Sequence, residues 1–260
     1  MGVRRVVRSV IVGSPLETLA RNIFSHLDPR CRASTGEMRD NPQMFEIMRR
    51  VLREDSAAID IGANAGDMLQ VMVTAAPRGR HLAFEPIPKL AQSLRERFPQ
   101  VDVRQMALSD HPGTAQFDVV LDILGHSSLQ ATDEEKRSHQ VQTIPVTVET
   151  LDRVVDPARM IRLIKIDVEG AEYQVIGGAA VTLRRCRPFV ILEFEQRTAA
   201  GFKVTAEMMY DRLTGELGMK ISRMNDWLEG QGPLNRATFG KIYRQGLRWN
   251  FLAHPETPAS

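Results

Sequence analysis

From Ala57 onward, short apolar strands alternate with helix-compatible runs, which predicts an α/β fold built on a doubly wound, mostly parallel sheet. Three stretches support it. Ala57–Gly66, AAIDIGANAG, is an apolar strand that carries Asp60 near its end and breaks into a loop with Gly62 and Gly66. Ala57–Met106 repeats the strand–helix unit. Ile161–Glu172, IRLIKIDVEGAE, opens with a strand that is apolar on both parities, as a central strand of a parallel sheet must be. Open sheets of this kind bind ligands beyond the carboxyl ends of their strands.

Composition sets the outer limits. The chain has 260 residues, enough to bury a core without disulfides or metals. With 43% hydrophobic and 25% charged residues it has ordinary globular proportions. A net charge of +2 gives no footing for a nucleic-acid partner. Cys31 and Cys186 form neither a disulfide framework nor a metal-ligand cluster, so both are expected as buried thiols in a reducing, cytoplasmic setting. No apolar run approaches the ~20 residues that span a bilayer. The segment MGVRRVVRSVIVG interleaves arginine with valine and lacks the continuous apolar stretch of a signal peptide.

Residues 1–55 are expected to form an N-terminal helical cap. Ser14-Pro15 with Glu17 gives a helix start, and Leu16, Leu19, Ala20, Ile23, Phe24 and Leu27 fall on one face. Asn41-Pro42 starts a second helix with Phe45, Met48, Val51 and Leu52 on its apolar side. The catalytic-type domain is expected over 56–254, with a disordered tail at 255–260.

Within that domain, strand one is Ala57–Ile61, followed by a helix at Asp67–Ala76. Strand two is Arg80–Phe84, ending at Glu85, and a helix from Pro88 to Phe98 leads to strand three, Val101–Met106. Glu85 follows the glycine loop by about 20 residues, the separation at which an acid meets a ribose diol in nucleotide sites. Thr114–Leu121 and Val141–Val148 alternate like a pair of strands in an inserted element. Between them lie the polar loop Gly125–Leu129, with His126, and the charged run Asp133–Arg137. Lys165, Asp167 and Glu169 share one parity if the strand geometry persists past Ile166. A cation and two carboxylates would then meet at the functional edge, able to orient a substrate, act as general base or hold a divalent cation. Phe189–Phe194 is a further strand, Thr205–Leu217 a helix and Gly218–Arg223 a strand. Asn225–Gly240 is expected as loop, and Trp249–Ala253 as a final edge strand.

Four pieces in order resemble the FkbM type of S-adenosylmethionine-dependent methyltransferase. They are Asp60-Ile61-Gly62-Ala63-Asn64-Ala65-Gly66, Phe84-Glu85-Pro86, Ala107-Leu108-Ser109-Asp110 with Gly113, and Leu151-Asp152 followed by Lys165-Ile166-Asp167-Val168-Glu169-Gly170-Ala171-Glu172. Ser127-Ser128-Leu129 sits between the last two. The resemblance covers Ala57 to Glu195. It implies a Rossmann-like, seven-stranded sheet whose last strand is antiparallel. It also implies that Asp60, Gly62, Asn64 and Gly66 hold the amino-acid part of S-adenosylmethionine, that Glu85 binds its ribose, and that Ser109 and Asp110 lie near its adenine. Asp167 and Glu169 would face substrate and methyl group. Asn64 stands where methyltransferases generally carry glycine, a tolerable exchange because asparagine enters the left-handed region more readily than most residues.

The activity expected is O-methylation of a hydroxyl on a sugar, glycolipid or secondary metabolite, with Asp167, Glu169 or His126 as base or orienting group. The acceptor would be a small molecule or glycoconjugate. A divalent cation on Asp167, Glu169 and Asp122 is a less favoured form of the same site. A nicotinamide-dependent oxidoreductase would need glycines at G-x-G-x-x-G spacing, where this chain has Gly62, Asn64 and Asp67. A non-catalytic cofactor-binding protein and an RNA methylase are the remaining alternatives. The latter calls for a basic face, which the charge balance does not favour.

Overall fold

The computed structural model describes residues 34–121, 127–130, 133–246 and 250–256. The chain divides into two compact units at Pro42/Gln43. Of the first unit the described residues are 34–42, which are helical. The helix expected over Ser14–Leu27 lies outside the described residues. Helix α1 (Ser34–Val51) starts seven residues before the expected Asn41, and Pro42 stands inside it rather than at its first turn. In the second unit Met44, Ile47, Met48 and Val51, spaced three and four apart, bury one face of α1 beside Leu69, Met72, Leu163 and Phe189.

The second unit follows the expected alternation. β1 (Ala57–Ile61) is buried along its whole length. α2 (Asp67–Ala75) follows, capped by Gly66 in the left-handed region. Next come β2 (Leu82–Phe84), α3 (Pro88–Arg97) and β3 (Asp102–Arg104). Proline at the first turn of α3 gives up an N–H that has no helical partner there. β4 (Ala107–Leu108), β5 (Gly113–Val120), α4 (Asp133–Ser138) and β6 (Val141–Glu149) make the inserted part. Then follow α5 (Leu151–Val154), β7 (Ile161–Ile166), α6 (Glu172–Gly178), α7 (Ala180–Cys186) and β8 (Phe189–Glu193). The remainder comprises α8 (Gln196–Ala199), α9 (Ala206–Tyr210) running into a π-turn at Asp211–Glu216, β9 (Lys220–Arg223), α10 (Met224–Leu228), α11 (Arg236–Arg244) and β10 (Asn250–His254).

The main sheet has seven strands in the order β3-β2-β1-β7-β8-β10-β9. β1 pairs in parallel with both β2 and β7, and β10 runs antiparallel to β8 and β9. This is the mostly parallel sheet with an antiparallel last strand that was expected. Side chains alternate between two cores. Ile59, Ile61, Ile164, Ile166, Val190 and Leu192 face one, while Ala58, Leu163, Phe189 and Ile191 face the other. The order reverses direction about β1, so the crevice beyond the carboxyl ends of β1 and β7 is the topological switch point. The inserted strands form a separate sheet, β4-β6-β5, in which β5 and β6 pair antiparallel from Gly113↔Val148 to Val120↔Val141.

Three expectations fail at the far side of the sheet. β10 is not an edge strand, because it lies between β8 and β9, and β9 takes the edge. Asn225–Gly240 is not loop throughout but carries the end of α10 and the start of α11. The final strand, expected to end at Ala253, runs on to His254, whose Nε2 lies 3.0 Å from Ser222 Oγ. Residues 257–260 lie outside the described residues.

Candidate active site

The loop after β1 is fastened to β2 where it leaves the strand. The N–H groups of Gly62 and Ala63 donate to the Phe84 carbonyl at 3.0 and 3.1 Å. Gly62 has φ +77, and a Cβ there would fall 1.8 Å from the Asp167 carbonyl oxygen, so glycine is required twice over. Gly66, at φ +85, would put a Cβ 2.6 Å from Leu94 and 2.9 Å from Phe98. Asn64 takes φ +44, the left-handed conformation expected of a residue in a glycine's place. Its N–H donates to Glu85 Oε2 at 2.8 Å, and the Ile87 N–H donates to Oε1 at 2.8 Å. Glu85 thus joins the two loops through one carboxylate. Burial pushes its proton affinity up to about 7, against the two N–H groups and Lys165.

Strand register builds the next layer. Asp60 pairs with Lys165 across β1 and β7. Lys165 Nζ lies 2.9 Å from Asp167 Oδ2 and 3.8 Å from Asp60 Oδ1, and donates to the Gly62 carbonyl at 3.1 Å. Burial works against the Lys165 charge, but Asp167 and Asp60 outweigh it and keep the ammonium protonated. Burial also pushes the Asp60 carboxyl up to about 6, with Lys165 opposing. Asp60 is fully buried, and neither carboxylate oxygen has a hydrogen-bond partner among the described residues.

Strand geometry persists one residue past β7 and then stops. The Asp167 N–H donates to the Ile61 carbonyl at 3.1 Å, so Lys165 and Asp167 do share a parity. Glu169 instead turns into the left-handed region at φ +54, and Gly170 follows at φ +114. A Cβ on Gly170 would meet the Thr198 carbonyl at 2.6 Å. Glu172 Oε1 holds the turn by accepting from the N–H groups of Val168 and Gly170 at 3.1 and 3.0 Å. Burial pushes the Glu172 carboxyl up to about 7 against these bonds.

The turn brings Glu169 to Glu193. Register pairs Ile166 with Leu192, so Glu193 at the end of β8 is the neighbour of Asp167. One carboxylate oxygen from each of Asp167, Glu169 and Glu193 lies within 4.8 Å of the other two. Glu169 is 14% exposed and has Arg197 Nη2 at 3.7 Å. Burial, then Asp167, raises the proton affinity of both glutamates well above the ordinary range, with Arg197 opposing at Glu169 and Lys165 at Glu193. The sequence pattern did not single out Glu193. The available signal was an acid at the carboxyl end of a strand expected next to β7. Asp122, the third acid proposed from sequence, and His126 lie outside the described residues. The three carboxylates have the spacing of a divalent site, yet Lys165 and Arg197 already bring positive charge to them, and we assign no ion.

These residues border an open cleft whose space, counted out into the solvent, is about 600 Å³. Gly62, Asn64, Glu85, Asp167 and Glu169 are among the residues that line it. Apolar surface comes from Phe84, Ile87 and Leu108, and from Phe117 and Leu129 of the inserted part. Ser109 and Asp110 stand beside the cleft rather than in its lining. The Ser109 N–H donates to the Glu149 carbonyl at 2.9 Å, and its own carbonyl sits 2.0 Å from where a Gly178 Cβ would be. Asp110 faces His111, Oδ1 to Nδ1 2.6 Å. Among the described residues no helix is long and apolar enough to cross a membrane.

A family model described as the methyltransferase FkbM domain matches residues 60–232. The 2-O-methyltransferase NoeI of Sinorhizobium fredii is 27% identical over 198 residues, which cover 69% of this chain and 81% of that protein. The AMB antimetabolite synthetase AmbE of Pseudomonas aeruginosa is 24% identical over 246 residues, 78% of this chain and 12% of that much longer one. Among solved structures, a methyltransferase FkbM from Methylobacillus flagellatus superposes with a TM-score of 0.49 at 14% identity, covering 78% of this chain and 44% of that one.

Proposed function

The chain is a methyltransferase of the FkbM family, and we propose that it carries a methyl group from S-adenosylmethionine to a hydroxyl of a sugar, glycolipid or secondary metabolite. The observation that carries this reading is the cleft at the β1–β7 switch point, lined by a clamped Glu85 and by Asp167 and Glu169. The hydroxyl acceptor class draws support from NoeI, whose name records 2-O-methylation.

The donor set fits that cofactor. Each Glu85 oxygen accepts one N–H and keeps further lone pairs for a ribose diol. Phe84, Ile87 and Leu108 offer apolar surface for a purine, and Ser109 and Asp110 adjoin it through Leu108. Asp60, paired with Lys165 beneath the Gly62–Gly66 loop, supplies buried negative charge toward a cofactor ammonium. When bound, the cofactor supplies an electrophilic methyl group for in-line displacement.

The remaining chemistry belongs to the chain. Asp167 is held in its ion pair with Lys165 and orients rather than abstracts. Glu169 faces the same cleft, and burial beside Asp167 raises its proton affinity, which suits a general base better than an ordinary carboxylate. Such a base contributes about 10²–10⁴-fold, and alignment of acceptor and methyl group adds to it. His126 keeps its place as a second candidate base.

Calorimetric titration with S-adenosylhomocysteine tests the cofactor assignment. Micromolar binding is expected, weakened at least tenfold by Asp60→Ala and by Glu85→Ala. Absence of binding to the folded wild type would overturn the proposal. For the base, Glu169→Gln is expected to lower turnover by about 10²–10⁴-fold in a screen of hydroxylated sugars and lipids with labelled methyl donor. Unchanged turnover would remove Glu169 from that role.

A further inference from the structure

Glu193 ends β8 behind the cleft and is not among its lining residues, yet it shares the 4.8 Å cluster with two that are. The charges facing this cluster do not balance. Asp167 and Lys165 come from β7, and Lys165 is shared with Asp60 of β1. Glu172 comes from α6. Glu195 and Arg197 follow β8, and Arg197 divides itself between Glu195 at 3.3 Å and Glu169 at 3.7 Å. Among the described residues, the ion pairs that reach Asp60, Asp167, Glu169 and Glu195 come from Lys165 and Arg197, with Glu172 and Glu193 beside them. Glu172 ties the turn beside Glu169, and β7 pairs β8 up to Leu192, so the two backbones that carry the glutamates are held side by side.

Like charges this close in a half-buried site cannot all ionise, and a nearby cation reverses the balance. Resting on the cofactor reading above, we propose that Glu193 is a positioning residue that, with Glu169, retains one proton in the cleft wall until a sulfonium cation enters. The cation takes the place of that proton as the counter-charge. Glu169 is then an ionised carboxylate at the moment a base is needed. During transfer the sulfur–carbon bond breaks and a carbon–oxygen bond forms. The acceptor's proton passes to the Glu169–Glu193 pair, and the sulfur keeps the bonding electrons as a neutral thioether. The pair ends protonated beside an uncharged product, its resting state.

The test uses wild-type protein and Glu193→Gln, titrated calorimetrically near pH 7 in buffers of different ionisation enthalpy, with S-adenosylmethionine and with S-adenosylhomocysteine. Wild type is expected to release a measurable fraction of one proton with the sulfonium and much less with the thioether. Glu193→Gln, which leaves Glu169 without its carboxylate neighbour, is expected to abolish the difference and to move the pH dependence of sulfonium binding about one unit lower. Equal proton counts for the two ligands in wild type would overturn the inference without touching the cofactor assignment, and need no variant. A variant that binds both ligands with the wild-type proton counts would overturn the role of Glu193. Absence of binding of either ligand would overturn the proposed function and this inference with it.

Discussion

Gly62 carries the strictest demand in the site. A methyl group there would overlap the Asp167 carbonyl oxygen, a backbone atom with no rotamer to yield. Gly62→Ala is expected to lose at least about 2 kcal/mol of stability in urea denaturation. A loss within experimental error would show that the loop relaxes. Glu172 tests burial instead. Its folded proton affinity lies near 7, above the 4.5 of an exposed glutamate. The folded state therefore holds a proton that the unfolded chain releases between these values. Stability from this group is present below pH 4.5 and is lost as pH rises through 7, by up to roughly 3 kcal/mol. Glu172→Gln keeps an oxygen for Val168 and Gly170, and its stability relative to wild type is expected to improve from pH 5 to pH 8 in parallel melts. A constant gap would refute the shift. Gly62, Asn64 and Gly66 were legible in the sequence because their spacing is itself the requirement of the turn, and Glu85 because it ends the next strand about 20 residues on. Glu193 was not, because its importance comes from a neighbour 26 positions away (Asp167) that only strand register supplies.

Elements were legible where periodicity is local. β1, β7 and β8 announce themselves by apolar content, and α3 by its proline. α10 has five residues, too few to show a period. α11 did carry a signal, Asn235, whose Oδ1 accepts from the Thr238 N–H at 2.9 Å. The position of β10 between β8 and β9 has no local signature, since pairing order is a property of the sheet. One unpredicted tie joins elements on the other side. His81 Nδ1 accepts from the Ala58 N–H of β1 at 3.2 Å, and its Nε2 lies 2.8 Å from the Ala76 carbonyl behind α2. Both contacts are satisfied by the neutral ring with its proton on Nε2. Burial lowers the affinity of His81 for a second proton. The unfolded chain takes up that proton below pH 6.5, so stability is full above 6.5 and falls as pH drops below it. The melting temperature of wild type is expected to fall more steeply from pH 7 to pH 5 than that of His81→Gln. Parallel curves would exclude the tie as the cause.

At the scale of the molecule, His81 on one side and Glu85 and Glu172 on the other pull in opposite directions between pH 4.5 and 6.5, and the two carboxyls outweigh the one imidazole in the pH dependence of the fold's stability. Cofactor binding should raise that stability. At a hundredfold excess over Kd a ligand specific for the folded state adds about 2.7 kcal/mol, or on the order of 5–10 °C in a domain of this size. S-adenosylhomocysteine is expected to give that rise in wild type and much less in Asp60→Ala, read by differential scanning fluorimetry. No rise in wild type would contradict the calorimetric expectation. The order of the strands also has a consequence in time. β8 and β9 both precede β10 in the chain, yet β10 is the strand that joins them. A ribosome delivers the two outer partners first and the middle one afterwards. Until residues 250–254 leave the exit tunnel, two rows of backbone donors and acceptors wait unpaired, open to any other extended segment. This half of the sheet is therefore completed only after both of its outer strands are made, and that interval is when a chaperone has most to protect.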